Sequence, residues 1–148
     1  MKSLFVAGMV TLASTFTAAA GELTKIETSK SVGEAIDALE AAVGNAGGTV
    51  FARVDHGAGA ASVEMELSDA QLLIFGNPKL GTPAMQADPL AGLYLPLKVL
   101  AYEDGTGQVW LVYEDPADML SALEIPGDAE VISRMQGALG NLTEAAAN

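Results

Sequence analysis

Apolar positions recur along this chain with two periods, and the switches between them mark out the elements. Leu23–Glu27 alternates and reads as a first strand. Ser31-Val32-Gly33-Glu34 then matches a capping box: the serine hydroxyl can satisfy one orphan N–H of a helix while the glutamate reaches back. Val32, Ile36, Leu39 and Val43 follow at helical spacing, with Glu34, Asp37 and Glu40 elsewhere on the wheel. Gly44-Asn45 and Gly47-Gly48 end that helix. Thr49–Asp55 alternates again and predicts a strand with Val50, Ala52 and Val54 on one face. Gly57–Ser62 is small and flexible, a loop or a short helix. Val63, Met65 and Leu67, alternating with Glu64 and Glu66, predict an extended piece at the surface.

The run Leu72-Leu73-Ile74-Phe75 within Gln71–Phe75 predicts a strand buried on both faces. Thr82-Pro83 and Asp88-Pro89 each set a capping residue before a proline suited to the first helical position, so short helices are expected between Pro83 and Gly92. Leu95–Glu103 and Gln108–Tyr113 read as strands joined across Asp104-Gly105-Thr106-Gly107, a hairpin signal. Asp115-Pro116 opens another short helix. Asp128 is expected to cap a last one, with Val131, Ile132, Met135, Leu139 and Leu142 as its apolar stripe. Strand, helix, mostly sequential strands and then helices together predict an α+β fold: a largely antiparallel sheet with helices packed on one face.

The first twenty residues do not join this pattern. One lysine precedes the apolar run Leu4–Leu12, which is too short to span a bilayer, and Ala18-Ala19-Ala20 supplies the small residues a signal peptidase reads. Residues 1–20 are therefore expected to be a cleaved signal peptide, and 21–148 a single domain. A periplasmic or secreted protein follows, with no stable membrane insertion once the signal is removed.

Composition narrows the chemistry. Of 148 residues, 7 are Lys or Arg and 19 are Asp or Glu, a net charge of −12. Binding nucleic acid needs clustered cations, so that partner is excluded. The absence of cysteine removes disulfides, thiolate metal sites and a thiol nucleophile. His56 is the sole histidine and can supply one metal ligand but never a full site. No metal and no cofactor is expected.

Three groups of residues are candidates for function. Phe75-Gly76-Asn77-Pro78-Lys79-Leu80-Gly81-Thr82 lies between a buried strand and a helix start, where backbone N–H groups can hold an anion. Its glycines have the spacing of a phosphate loop, but Thr82 stands where that motif requires lysine. The same residues also serve as a tight turn with a Thr82 cap. Asp55-His56 ends a strand, and a carboxylate beside an imidazole can tune a general base, although neighbours on a strand point to opposite faces. Tyr94, Tyr102, Trp110 and Tyr113 gather around the hairpin, where cross-strand packing is the commoner reason for aromatic residues. Glu103-Asp104 and Glu114-Asp115 lack the residue order of a calcium loop.

The segments Phe75-Gly76-Asn77-Pro78-Lys79, Gly81-Thr82 with Met85, and Leu95-Pro96-Leu97-Lys98-Val99-Leu100 resemble the bacterial and archaeal family called domain of unknown function 302. Asp55-His56 with Ala58, Ala60 and Ala61 extends the resemblance upstream, and Val109–Tyr113 with Asp115-Pro116 extends it downstream. The resemblance implies a fold like a TATA-binding-protein half-repeat, with a curved antiparallel sheet, and a dimer. It implies no established activity, and the DNA binding of that namesake does not transfer to an acidic chain. Matched to the family signature, the site residues are Asp55, His56, Asn77, Lys79, Thr82 and Tyr113. The leading expectation is a non-catalytic homodimer that binds a small polar or anionic ligand near Gly76–Thr82 through Asn77, Lys79, Thr82 and Tyr113. The alternatives are a hydrolase-like or proton-transfer enzyme using Asp55 and His56, and an acidic module that docks a basic protein.

Overall fold

The computed structural model describes residues 21–148; the expected signal peptide lies outside the described residues. Five strands, β1 (Leu23–Thr28), β2 (Thr49–Asp55), β3 (Ala70–Gly76), β4 (Leu97–Glu103) and β5 (Val109–Glu114), form one antiparallel sheet in the order β1-β5-β4-β3-β2. The helices are α1 (Val32–Asn45), α2 (His56–Ala61), α3 (Pro78–Ala87), α4 (Pro116–Met119) and α5 (Glu130–Ala147), with a 3₁₀ turn over Pro89–Leu93. This is the α+β arrangement the pattern predicts.

α1 starts where the capping box places it. Glu34 N–H donates to the Ser31 hydroxyl, and Ser31 N–H donates to the Glu34 carboxylate at 2.9 Å. Val32, Ala35, Ile36, Leu39 and Val43 form its buried face, while Ile132, Met135, Leu139, Thr143 and Ala146 form that of α5. The two helices lie on one side of the sheet, over Leu73, Phe75, Leu97, Val99, Ala101, Val109, Leu111 and Tyr113, and these residues make one continuous core. Thr28 fastens the end of β1 to the end of α5, its hydroxyl donating to the Ala147 carbonyl at 2.8 Å. The hairpin between β4 and β5 is closed by Asp104. Its carboxylate accepts from Thr106 N–H, the Thr106 hydroxyl, Gln108 N–H and the Trp110 indole, which together hold its pKa well below the usual carboxylate range.

Four expectations are corrected. A bulge between Val50 and Ala52 breaks the alternation of β2, so the three residues do not share a face. Val50 pairs with Phe75 on the helix side, whereas Ala52 and Val54 pair with Ile74 and Leu72 on the other. Arg53 thereby turns towards α1 and forms ion pairs with Asp37 and Glu40. Strand β3 is buried on one face only: Leu73 and Phe75 lie under the helices, and Leu72 and Ile74 are half-buried on a face that α1 and α5 leave open. Thr82-Pro83 does not begin a helix. Asn77-Pro78, five residues earlier, offers an equally strong cap before proline, so Thr82 and Pro83 fall inside α3. Asp128 does not cap α5 either; Ala129 occupies that position and makes no side-chain bond.

Candidate functional site

The sheet ends at Gly76 with a close approach that leaves room for a cleft. Gly48 and Gly76 lie together where β2 and β3 meet: a Cβ on Gly48 would stand 3.2 Å from the Val43 carbonyl and 3.5 Å from that of Gly76. On one side of the Gly76–Leu80 segment is a cleft of about 280 Å3, walled by Phe51, Leu80, Met85, Leu95, Pro96 and Met135. Asn77, Gly81 and Thr82 also border it. A smaller hollow of about 180 Å3 lies on the other side, between Asn77 and Leu80, Val43 of α1 and Ala46 just past its end, and Ala138 and Leu142 of α5. Both are lined mainly by apolar side chains.

The polar groups of the loop are engaged with the loop itself. Asn77 Oδ1 accepts from Lys79 N–H at 2.9 Å, and the Asn77 carbonyl accepts from Leu80 and Gly81 N–H at 2.8 and 3.0 Å. Asn77 Nδ2 donates to the Gly47 carbonyl at 3.3 Å. Since Pro78 has no N–H, the first turn of α3 has no free backbone donors left for an anion. The anion cradle expected there is thus filled by Asn77. Lys79 is exposed on the same turn, and Thr82 stands exposed at the mouth of the cleft.

The remaining expected residues lie elsewhere. Asp55 pairs with Gln71 while Thr49 pairs with Gly76, so Asp55 and His56 are at the opposite end of the β2–β3 hairpin, roughly 17 Å away by strand rise. Asp55 caps α2, its carboxylate accepting from Ala58 N–H at 2.8 Å. His56 is exposed and borders neither hollow. Tyr113 is buried in the core beneath the helices, paired with Thr24 of β1, and also borders neither. The structure therefore puts Asn77 and Thr82 on the cleft, leaves Lys79 exposed on the same helix but bordering neither hollow, and disperses Asp55, His56 and Tyr113. Of the residues that shape the cleft, Met85 belongs to the family resemblance and Met135 to the apolar stripe of the last helix, but neither signal points to a cleft, and Phe51 carries none. Among the described residues no cluster of three metal-ligating side chains occurs.

A five-stranded antiparallel sheet, helices layered on one face and a cleft at the Gly-Asn-Pro turn define an α+β domain of a recognised kind. The family model described as domain of unknown function DUF302 matches residues 24–145, and the chain belongs to that family. The crystal structure of an uncharacterized conserved DUF302 protein from Bacillus stearothermophilus superposes with a TM-score of 0.76, covering 84% of this chain and 97% of that one at 17% identity. The fold is shared. Curated relatives include proteins named fluoride-specific ion channel FluC 1 from Brucella suis biovar 1 and Brucella abortus biovar 1. Each is 41% identical over 127 residues, or 84% of this chain. The match takes in only 50% and 47% of their lengths, so the chain spans about half of these relatives. No helix among the described residues is long and apolar enough to cross a membrane.

Proposed function

We propose that this chain is an exported, non-catalytic binding module that acts as a homodimer and takes a small ligand in the cleft beside Gly76–Thr82. The observation that carries the reading is the cleft itself, an apolar recess with few polar groups at its mouth, as small-molecule sites commonly are. The ligand class follows: an apolar body against Phe51, Leu80, Met85 and Met135, and a polar or anionic end at Thr82, on the helix that also carries the exposed Lys79. A thermal-shift panel of hexanoate, benzoate, phosphate and acetate tests it. The longer carboxylates are expected to raise Tm, and Lys79→Ala and Gly81→Leu to abolish the rise. Gly81→Leu acts by filling the recess, since a Cβ there meets Leu95 Cδ1 at 3.6 Å. Absence of any shift would remove the ligand reading.

The identity with half of the fluoride-channel chains favours a second reading, in which the domain is an accessory to a membrane anion channel. Fluoride belongs in the same panel for that reason. A shift with sodium fluoride, absent with sodium chloride, supports this reading; equal behaviour of the two salts counts against it.

A further inference from the structure

Among the described residues, no second layer of helices lies on the face of the sheet away from α1 and α5. By register, it presents Lys25 from β1, Trp110 and Val112 from β5, Lys98, Leu100 and Tyr102 from β4, Ala70, Leu72 and Ile74 from β3, and Ala52 and Val54 from β2. Glu27 and Glu114 bring carboxylates to its β1 side. Across β4, β3 and β2 the face carries none, in a chain with 19 acidic residues. Lys25 lies flat over it, its Nζ 3.2 Å from the Tyr102 hydroxyl. Val54 is 37% exposed and Phe51, at the bulge, 59%. At the Val54–Ala70 end the chain leaves the sheet with Val63, Met65 and Leu67 all exposed.

We infer that this open face is where a second copy of the chain packs, sheet against sheet. This rests on the homodimer reading above and assigns its interface. Charge selects the occupant. Two copies of −12 repel over most of their surfaces, and the β4–β3–β2 part of this face, which carries no carboxylate, is where they can approach closely. A basic partner would seek the acidic surfaces instead. Area agrees as well. Five strands spaced about 4.8 Å apart, each about 20 Å long, give roughly 400 Å2 in projection. Pleating and the exposed Leu23 and Phe51 extend this towards the roughly 800 Å2 per partner of a stable interface. Face-to-face packing of two sheets about 10 Å apart is an established way to bury such surfaces. The interface is isologous, with the central strand β4 nearest the two-fold axis, so any substitution on the face enters it twice.

Sedimentation equilibrium on the purified protein tests the assignment. The wild type is expected to be a dimer at micromolar concentration, and its dissociation constant to fall as sodium chloride rises from 50 to 500 mM, because salt screens repulsion between like copies. Val54→Glu is expected to weaken dimerisation at least tenfold with an unchanged far-ultraviolet circular dichroism spectrum. Val54→Thr, which adds no charge, should weaken it less, and Leu93→Glu, on the 80% exposed side chain of the 3₁₀ turn, should leave it intact. A monomeric wild type at 100 µM would overturn both this assignment and the homodimer reading. A dimer that tolerates both Val54→Glu and Leu72→Glu, or that weakens with added salt, would overturn the assignment alone.

Discussion

Replacing Asn77 separates the two roles that its position allows. In the structure it is the N-cap of α3: Oδ1 accepts from Lys79 N–H, and Nδ2 reaches the Gly47 carbonyl. Losing an N-cap to alanine costs about 1 kcal/mol, within a range of about 0.5–2. The bond to Gly47 is long and exposed, so its loss adds at most about 0.5 kcal/mol. Asn77→Ala should therefore destabilise by about 1–1.5 kcal/mol, or roughly 4–6 °C in Tm for a domain of this size. Asn77→Asp keeps the acceptor, places a negative charge at a helix N-terminus and loses only the Nδ2 donor. It should stay within about 0.5 kcal/mol of the wild type at pH 7. Urea unfolding followed by tryptophan fluorescence, with the m-value checked for constancy, measures both variants. If Asn77→Asp costs as much as alanine, or if alanine costs nothing, the cap is not what this residue contributes. A residue held solely for ligand binding would give the second result.

Other consequences are equally accessible. Thr28→Val removes the donor to the Ala147 carbonyl and the acceptor of Lys30 N–H, and should lower stability by about 1–2 kcal/mol in the same urea assay, with Thr28→Ser recovering part of it. Ala129→Asp supplies the missing cap of α5 and should raise stability by about 1 kcal/mol, whereas Asp128→Ala should change it little. Asp104 and Glu34 both have carboxyl pKa values lowered in the fold, chiefly by hydrogen bonds from Thr106 and Trp110 and from Ser31 respectively. Their contribution is complete above the unfolded carboxylate pKa, near 4, and is lost as pH falls through the lower folded values. An NMR titration should accordingly find Asp104 still ionised at pH 3.5, with the Trp110 indole proton unmoved between pH 7 and 4. An ordinary midpoint for Asp104 would count against the hairpin network.

The sequence made the elements legible where local chemistry is unambiguous. Ser31 and Glu34 at capping-box spacing, Asp88 and Asp115 before prolines, and the Asp-Gly-Thr-Gly hairpin each satisfy backbone groups within a few residues, so no distant partner can override them. Local pattern misleads where two local solutions compete or where the answer lies across the sheet. Asn77-Pro78 and Thr82-Pro83 are both good helix starts, and one helix can use only one of them. The β2 bulge reassigns Arg53 and Val54 between faces through pairing with β3, which no pattern within Thr49–Asp55 reveals. Apolarity of Leu72 and Ile74 likewise cannot distinguish a strand covered on both sides from one whose second face is left open. As for the site, the Gly76–Thr82 turn was visible as a concentration of glycine, proline and polar residues. Its apolar walls come from β2, the segment before β4 and α5, and meet only in the folded chain.

The sheet order also dictates when the molecule can assemble. Of the described strands β1 comes first, yet its strand partner among them, β5, runs antiparallel to it with Leu23 opposite Glu114, and the Thr28 latch closes on Ala147. Contacts so distant along the chain carry a large loop-closure cost and slow the search for the native state. As the chain emerges N-terminus first, the β2–β3–β4 region can pair locally, but among the described strands β1 has no partner until residue 114 has emerged, and the core has no lid until α5 follows. The eighteen-residue helix α5 thus acts as the completing step in folding this domain. A chain lacking α5 would expose Ile36, Leu39 and Leu111 together, leaving a collapsed and sticky intermediate in place of a native domain.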